Sequence, residues 1–296
     1  MAGIDLNRTT AGVSELLPRS ISQDIWGAAV EESAIMSASR RMNLPGGGVT
    51  IPIITGEPTA DWVDETDEKP VSRHTVGSKN IQGYTLAVIE PFSNQFRRDL
   101  PGLYAELARR LPFALARKFD QTIMGTTAPG SNFDVLGDAA AVEVAGDDVV
   151  EDLASVLQNV GTAGGNLSHW LISPQLEGTV RLAKDPGTGS YAFLQDARTD
   201  GGTIGSIFGR PVLKSGGLYV EGTPNQLGLA GDFANSAVVG VVEDISVSLS
   251  DQASINDGGT VLHLWQRNMF ALRVEVELGF AVRDKAHFNR LVGAAA

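Results

Sequence analysis

The residues best suited to metal binding or proton transfer are four histidines, His74, His169, His263 and His287. They lie far apart, and none forms an HExxH-like pair. Cysteine is absent, which removes disulfides, thiolate zinc sites, iron–sulfur clusters and cysteine nucleophiles. No Gly-Lys pair occurs anywhere, so there is no Walker-type phosphate loop. Gly205-Ser-Ile-Phe-Gly209 resembles a nucleophile elbow but places its serine wrongly, and Gly187-Thr-Gly189 does not continue as a dinucleotide fingerprint. The adjacent carboxylates Asp64/Glu65 and Asp147/Asp148 sit in acidic stretches, where solvated faces or helix caps are the default. Asp147 and Asp148 also lack the alternating spacing and terminal Glu of a calcium loop. The expectation is no catalytic residue, no metal site and no cofactor, in a chain that is not an enzyme.

What remains is chemistry between surfaces. Residues 57–69 hold Glu57, Asp61, Asp64, Glu65, Asp67 and Glu68 against the single base Lys69, a net charge of −5, with Trp62 and Val63 among them. Such a stretch cannot pack into a core, and a lone Trp gains nothing by ordering in water. A partner surface explains it, and a Trp folded back on its own domain explains it equally well. Residues 97–118 have the opposite sign, net +4, with Arg109, Arg110, Arg117 and Lys118 on a predicted helix. Copies could dock excursion to helix with complementary charge, which fixes register more than it adds affinity. Trp62 and Val63 would form the apolar anchor beside Asp64, Glu65 and Glu68.

The predicted elements position these residues. Residues 1–18 read as an extended arm. Residues 20–42 tend to helix, with Ser20 and Gln23 as a capping-box pair and Ile21, Ile25, Ala29 and Met36 on one face. After the glycines at 46–48, Val49, Ile51 and Ile53 alternate as a strand, and a second strand resumes near Ile81 with Tyr84, Leu86 and Val88. Together they would frame an excursion of about 25 residues, long for a hairpin loop. Pro101 opens the strongest helix, where Leu103, Leu107, Leu111, Leu115, Phe119 and Ile123 recur every fourth residue. Pro112 predicts a bend near 108–112. Residues 147–160 predict a short helix capped by Asp147 or Asp148 and ended by Gly161. The strand HWLIS and a helix from Ser173-Pro174 follow, then turn-rich loops around a short strand at 209–214. Two long alternating strands close the chain, one with Ile245, Val247 and Leu249, the other running from Phe270 to Val282.

Composition bounds the class. The 296 residues are 43% hydrophobic and 20% charged, which fits a globular chain rich in turns. No apolar run approaches the roughly 20 residues of a membrane helix, and the polar N-terminus predicts no secretion. A net charge of −12 makes a poor ligand for DNA, although an acidic wall would suit a DNA container.

The order of these features resembles the Hong Kong 97-type phage major capsid family. PTADWVDE lies in the excursion, FDQTIMG ends the long helix, and HWLISP, LAKDPGTGSY, FGRPVL and LAGDF follow before the closing ALRVEVELGFAVRDKAHFNRL. The resemblance covers about residues 20–292. It implies an α+β fold with an N-terminal arm and helix (1–47), an E-loop hairpin (48–80), a peripheral domain (81–144) whose spine helix spans about 101–124, an axial domain (145–235), and return strands (236–296) completing the peripheral domain. It further implies pentamers and hexamers tiling an icosahedral shell in the virion, built in the host cytoplasm around DNA that is enclosed without being specifically bound. Because only a short arm precedes the first helix, scaffolding is expected from a separate protein, alongside a portal and a decoration protein. Some members crosslink a loop lysine to an asparagine of a neighbour; Lys69 and Lys79 lie in or near the loop, but no motif marks a partner. The alternatives are an encapsulin-type nanocompartment shell and, from another class, a β-rich hydrolase or carbohydrate-binding protein.

Overall fold

A computed structural model describes residues 33–56, 58–65, 68–94, 100–144, 148–184, 192 and 205–294. The expected arm, and the 20–42 helix as far as residue 32, lie outside them.

Helix α1 is short, Ala34–Ala38, capped by Ser33, whose hydroxyl accepts from the Met36 amide. The helix expected to reach Met42 stops there. Ser39 is extended, and Arg40–Asn43 forms strand β1, parallel to the later strand β10, Ala237–Ser250. Pairing with a long strand overrides a weak local helical preference.

Strand β2, Val49–Gly56, pairs with β3, Thr75–Ile81, in register from Val49↔Ile81 to Ile54↔Val76, with a shift before Gly56↔Thr75. The chain therefore returns six residues earlier than the alternation suggested. Strand β4, Tyr84–Ser93, belongs to a different sheet. Helix α2, Leu100–Met124, then runs through Pro112 as one element.

The four-stranded sheet has the order β1–β10–β13–β4, with β13 spanning Met269–Val282. Phe270, Leu272, Val274, Val276, Leu278, Phe280 and Val282 on one face of β13 are buried. They share a core with Leu115, Phe119 and Ile123 of α2. A small hairpin, β11 (Ser254–Asp257) and β12 (Thr260–His263), caps the far end of this sheet.

The second sheet is built from β5 (Ala140–Glu143), β6 (His169–Ile172), β7 (Ser206–Ile207), β8 (Arg210–Lys214), β9 (Gln226–Gly231) and β14 (Phe288–Val292), in the order β5–β14–β9–β6–β8–β7. Both its faces are covered. Trp170, Ile172, Ala230 and Leu291 face helices α3 (Val149–Thr162) and α4 (Pro174–Leu182), while Leu171, Leu229 and Phe288 face the α2 core. Asp148 is the N-cap of α3, but its side chain makes no capping bond. Gly164, not Gly161, takes the left-handed position at φ +83° that ends this helix. Its amide bonds the Gly161 carbonyl at 3.0 Å and the Gly165 amide bonds the Val160 carbonyl at 3.0 Å, a Schellman ending. The last helix, α5, is one turn, Phe233–Ser236.

One carboxylate joins these layers. Asp120 of α2 is buried and accepts from the Ser33 hydroxyl at 2.6 Å, the Ser215 hydroxyl at 2.8 Å and the Ala34 amide at 3.3 Å. It thereby ties α1, α2 and the chain leaving β8 without a cation. Burial pushes its carboxyl up from 3.8 to about 6, against the pull of the bonds from Ser33, Ser215 and the Ala34 and Ile35 backbone. Glu177 shows the contrast: burial opposes its charge too, yet bonds from Lys214 and Arg181 hold it below the usual range. A folded-state value raised above the unfolded one stabilises the chain at low pH, and that contribution fades as pH rises through the folded value. Stability from Asp120 should therefore fall between about pH 4 and about pH 6, by an amount of order 3 kcal/mol. Asp120→Asn should remove this component, so its urea midpoint gains on the parent's as pH rises. Parallel midpoint curves for the two proteins would contradict it.

Candidate assembly interface

The β2–β3 hairpin is seated by a bare spot on the outer face of the first sheet. Gly240 and Gly279 are directly paired across β10 and β13. A Cβ on Gly279 would lie 2.6 Å from the Gln82 carbonyl oxygen, and one on Gly240 would lie 2.2 Å from a Leu44 methyl. Without side chains there, Leu44, Ile81 and Ala281 close into a small core, with Val49 and Ile51 against it. Lys79 fastens the same root, donating to the Val282 carbonyl at 2.7 Å and pairing with Asp134 at 2.5 Å. Asp134 also accepts from the Val282 amide at 2.8 Å.

Beyond the strands, the Thr59 amide bonds the Ser72 hydroxyl at 2.9 Å, which links the two arms of the excursion. Trp62 is 105% exposed, so the indole has not folded back on its own chain. Val63 is half-buried, while Asp61, Asp64, Glu65 and Glu68 are exposed. On α2, Arg110, Arg117 and Lys118 are exposed; Arg109 lies in the helix, but its side chain is outside the described ones. Among the described residues, Asp61, Asp64, Glu65, Glu68, Arg117 and Lys118 form no side-chain ion pair. These four acids and Arg117 and Lys118 are thus not neutralised by each other within one chain. Composition gave no hint of Phe113, 48% exposed between Arg110 and Arg117, because it sits inside an apolar row.

His169, His263 and His287 make structural contacts. His74 is exposed and His263 bonds the Ser254 hydroxyl at 2.8 Å. His169 meets the Ser168 hydroxyl at 3.0 Å, and burial lowers its pKa. His287 is buried, with Nδ1 at 2.6 Å from the Ser236 hydroxyl and Nε2 at 3.2 Å from the Ala163 carbonyl. A carbonyl partner requires the proton on Nε2, so Nδ1 accepts from Ser236. This pair fastens the end of α3 to α5. The nearby Asp232 directs its carboxylate to the Asn235 and Asn166 amides, so no carboxylate orients the imidazole. No group of His, Asp and Glu among the described residues could hold a metal ion.

The phage capsid family model matches residues 14–293. The probable major capsid protein gp17 of Mycobacterium phage L5 is 30% identical, over 93% of this chain and 88% of its own length. The major capsid protein of Staphylococcus phage 80alpha is 24% identical, over 94% and 85%. Among solved structures, one from Mycobacterium phage Ogopogo superposes with a TM-score of 0.72 at 19% identity, over 89% of this chain and 92% of that one. Another, from Gordonia phage Cozz, gives 0.70 at 24% identity, over 90% and 88%. The fold is that of the Hong Kong 97-like capsid proteins, in the α+β class.

The glycine seat is directly testable. Gly279→Ala places a methyl against backbone, and such overpacking costs about 1–3 kcal/mol. Amide exchange in β2 and β3 should accelerate while the centre of β13 stays protected. Unchanged exchange in the hairpin would show that the close approach does not hold it.

Proposed function

The chain belongs to the phage capsid family, and from that membership we propose how its particular surfaces build a shell. It is a major capsid protein, a structural component of the virion whose copies assemble into the phage capsid. In the proposed reading the copies form pentamers and hexamers that close an icosahedral shell around the DNA genome. The hairpin and excursion at 48–80 act as the E-loop, α2 as the spine helix of the peripheral domain, and 145–235 as the axial domain. Residues 1–47 supply an arm and helix, and 236–296 return the chain to the peripheral domain, with β14 at its end lying in the second sheet. Assembly takes place in the host cytoplasm with a separate scaffolding protein, a portal and a decoration protein as partners. The chain carries out no catalysis in this reading. A net charge of −12 fits a wall that encloses DNA without gripping its phosphates.

One observation carries the assembly mechanism. A projecting two-stranded arm presents Trp62, Asp64, Glu65 and Glu68 outward beside the half-buried Val63, and α2 presents Arg110, Arg117 and Lys118, with Arg109 on the same helix. Opposite charges on separate surfaces of one chain favour contact between copies and suppress contact between like surfaces. Charge reversal at Arg117 and Lys118 should leave the fold intact, since both side chains are exposed. Shell-sized particles, counted by sedimentation and negative-stain microscopy, should drop about tenfold or more, the equivalent of roughly 1.4 kcal/mol per contact. Normal particle yield from the Arg117→Glu, Lys118→Glu protein would overturn the docking of excursion on helix.

A further inference from the structure

We propose that Phe113 is the seat on α2 for Trp62 of a neighbouring copy. The inference rests on the assembly reading above and names the apolar centre of that contact. Residues 110, 113, 114, 117 and 118 follow helical spacing and form one stripe along α2. The opposite face of the same segment is closed, with Leu115, Ala116 and Phe119 buried in the core. Within the stripe Phe113 is 48% exposed, and Arg110 and Arg117 lie one turn to either side of it. An exposed aromatic residue set one turn from an arginine on either side is a surface of specific chemistry. It accepts another aromatic side chain by stacking or edge contact, and its flanking cations attract both carboxylates and the indole face.

The excursion carries the complement in one short run. Trp62 is preceded by Asp61 and followed by Val63, Asp64 and Glu65. An apolar centre with an acidic border meets an apolar centre with a basic border, the arrangement of a contact hot spot inside a polar rim. The occupant is a second copy of this chain, because the acidic border of Trp62, fully exposed in its own chain, complements the basic border of Phe113. Donor and receiver are different surfaces, and every copy has one of each. Such a contact runs head to tail and closes into a ring when the rotation between copies closes. Ring-shaped capsomers need this type of contact and not a self-complementary one.

A double-mutant cycle on the full chain tests the seat. Trp62→Ala, Phe113→Ala and the double variant are compared with the parent for the critical concentration of assembly, read by sedimentation, with urea midpoints as the folding control. Each single variant should raise the critical concentration about tenfold. The double variant should also raise it only about tenfold, because the two side chains contact each other. Phe113→Trp should assemble near the parent level. A rise of about a hundredfold in the double variant, the product of independent effects, overturns the proposal. So does a Phe113→Ala protein that assembles like the parent. If that protein assembles while the Arg117→Glu, Lys118→Glu protein does not, the seat is wrong and charged docking stands. If both assemble normally, the docking itself is wrong.

Discussion

Strand β13 meets β10 along one edge and β4 along the other. Its inner face buries seven apolar side chains from Phe270 to Val282. That row fixes α2, because Phe280 meets Phe119 edge-on at 6.4 Å and Phe133 at 6.2 Å. Its outer face gives way at Gly279, where the root of the projecting hairpin approaches. A one-residue slip would send these seven side chains outward and bring Gly279 inward. The helix that presents cations and the hairpin that presents acids therefore take their positions from opposite faces of one strand.

The second sheet is held to this frame by burial on both faces and by Asp120. A carboxylate without a cation is an expensive way to join three segments, and its four donors offset only part of the desolvation. In exchange, α2 is fixed in register against α1 and against the turn at Ser215. A hydrophobic contact at this place would allow sliding; a buried acceptor with directed donors does not. In the proposed docking, a subunit that presents its arm and its helix to neighbours in constant geometry benefits from such a joint.

Much of this was legible where one physical signal dominated. The unbroken alternation from Phe270 to Val282 is that of a strand buried on one face, and the fourfold row from Leu103 to Ile123 lies on α2. Ser173-Pro174 opens α4 through its cap bond to Leu176. Other elements depend on partners distant in sequence. Strand β1 exists because β10 is beside it, and its Arg-Arg-Met-Asn run has no strand pattern of its own. Strand β3 is mostly exposed and polar, so its pairing with β2 left no periodicity to read. Strand β14, close to the end of the chain, pairs with β5 and β9, both distant from it in sequence. At the interface, the charges and Trp62 stood out because they break composition. Phe113 did not, since only the folded helix shows which apolar residues of a continuous row remain outside.

The central claim is that an arm bearing Trp62 on one copy is received by α2 of the next. A cryo-electron microscopy reconstruction of the assembled shell, at a resolution that shows side chains, tests it most directly. The account predicts density for Trp62 against Phe113 of the adjacent subunit, with Arg110 and Arg117 bordering the indole. A Trp62 facing solvent, or packed against any surface other than α2 of a neighbour, would contradict it.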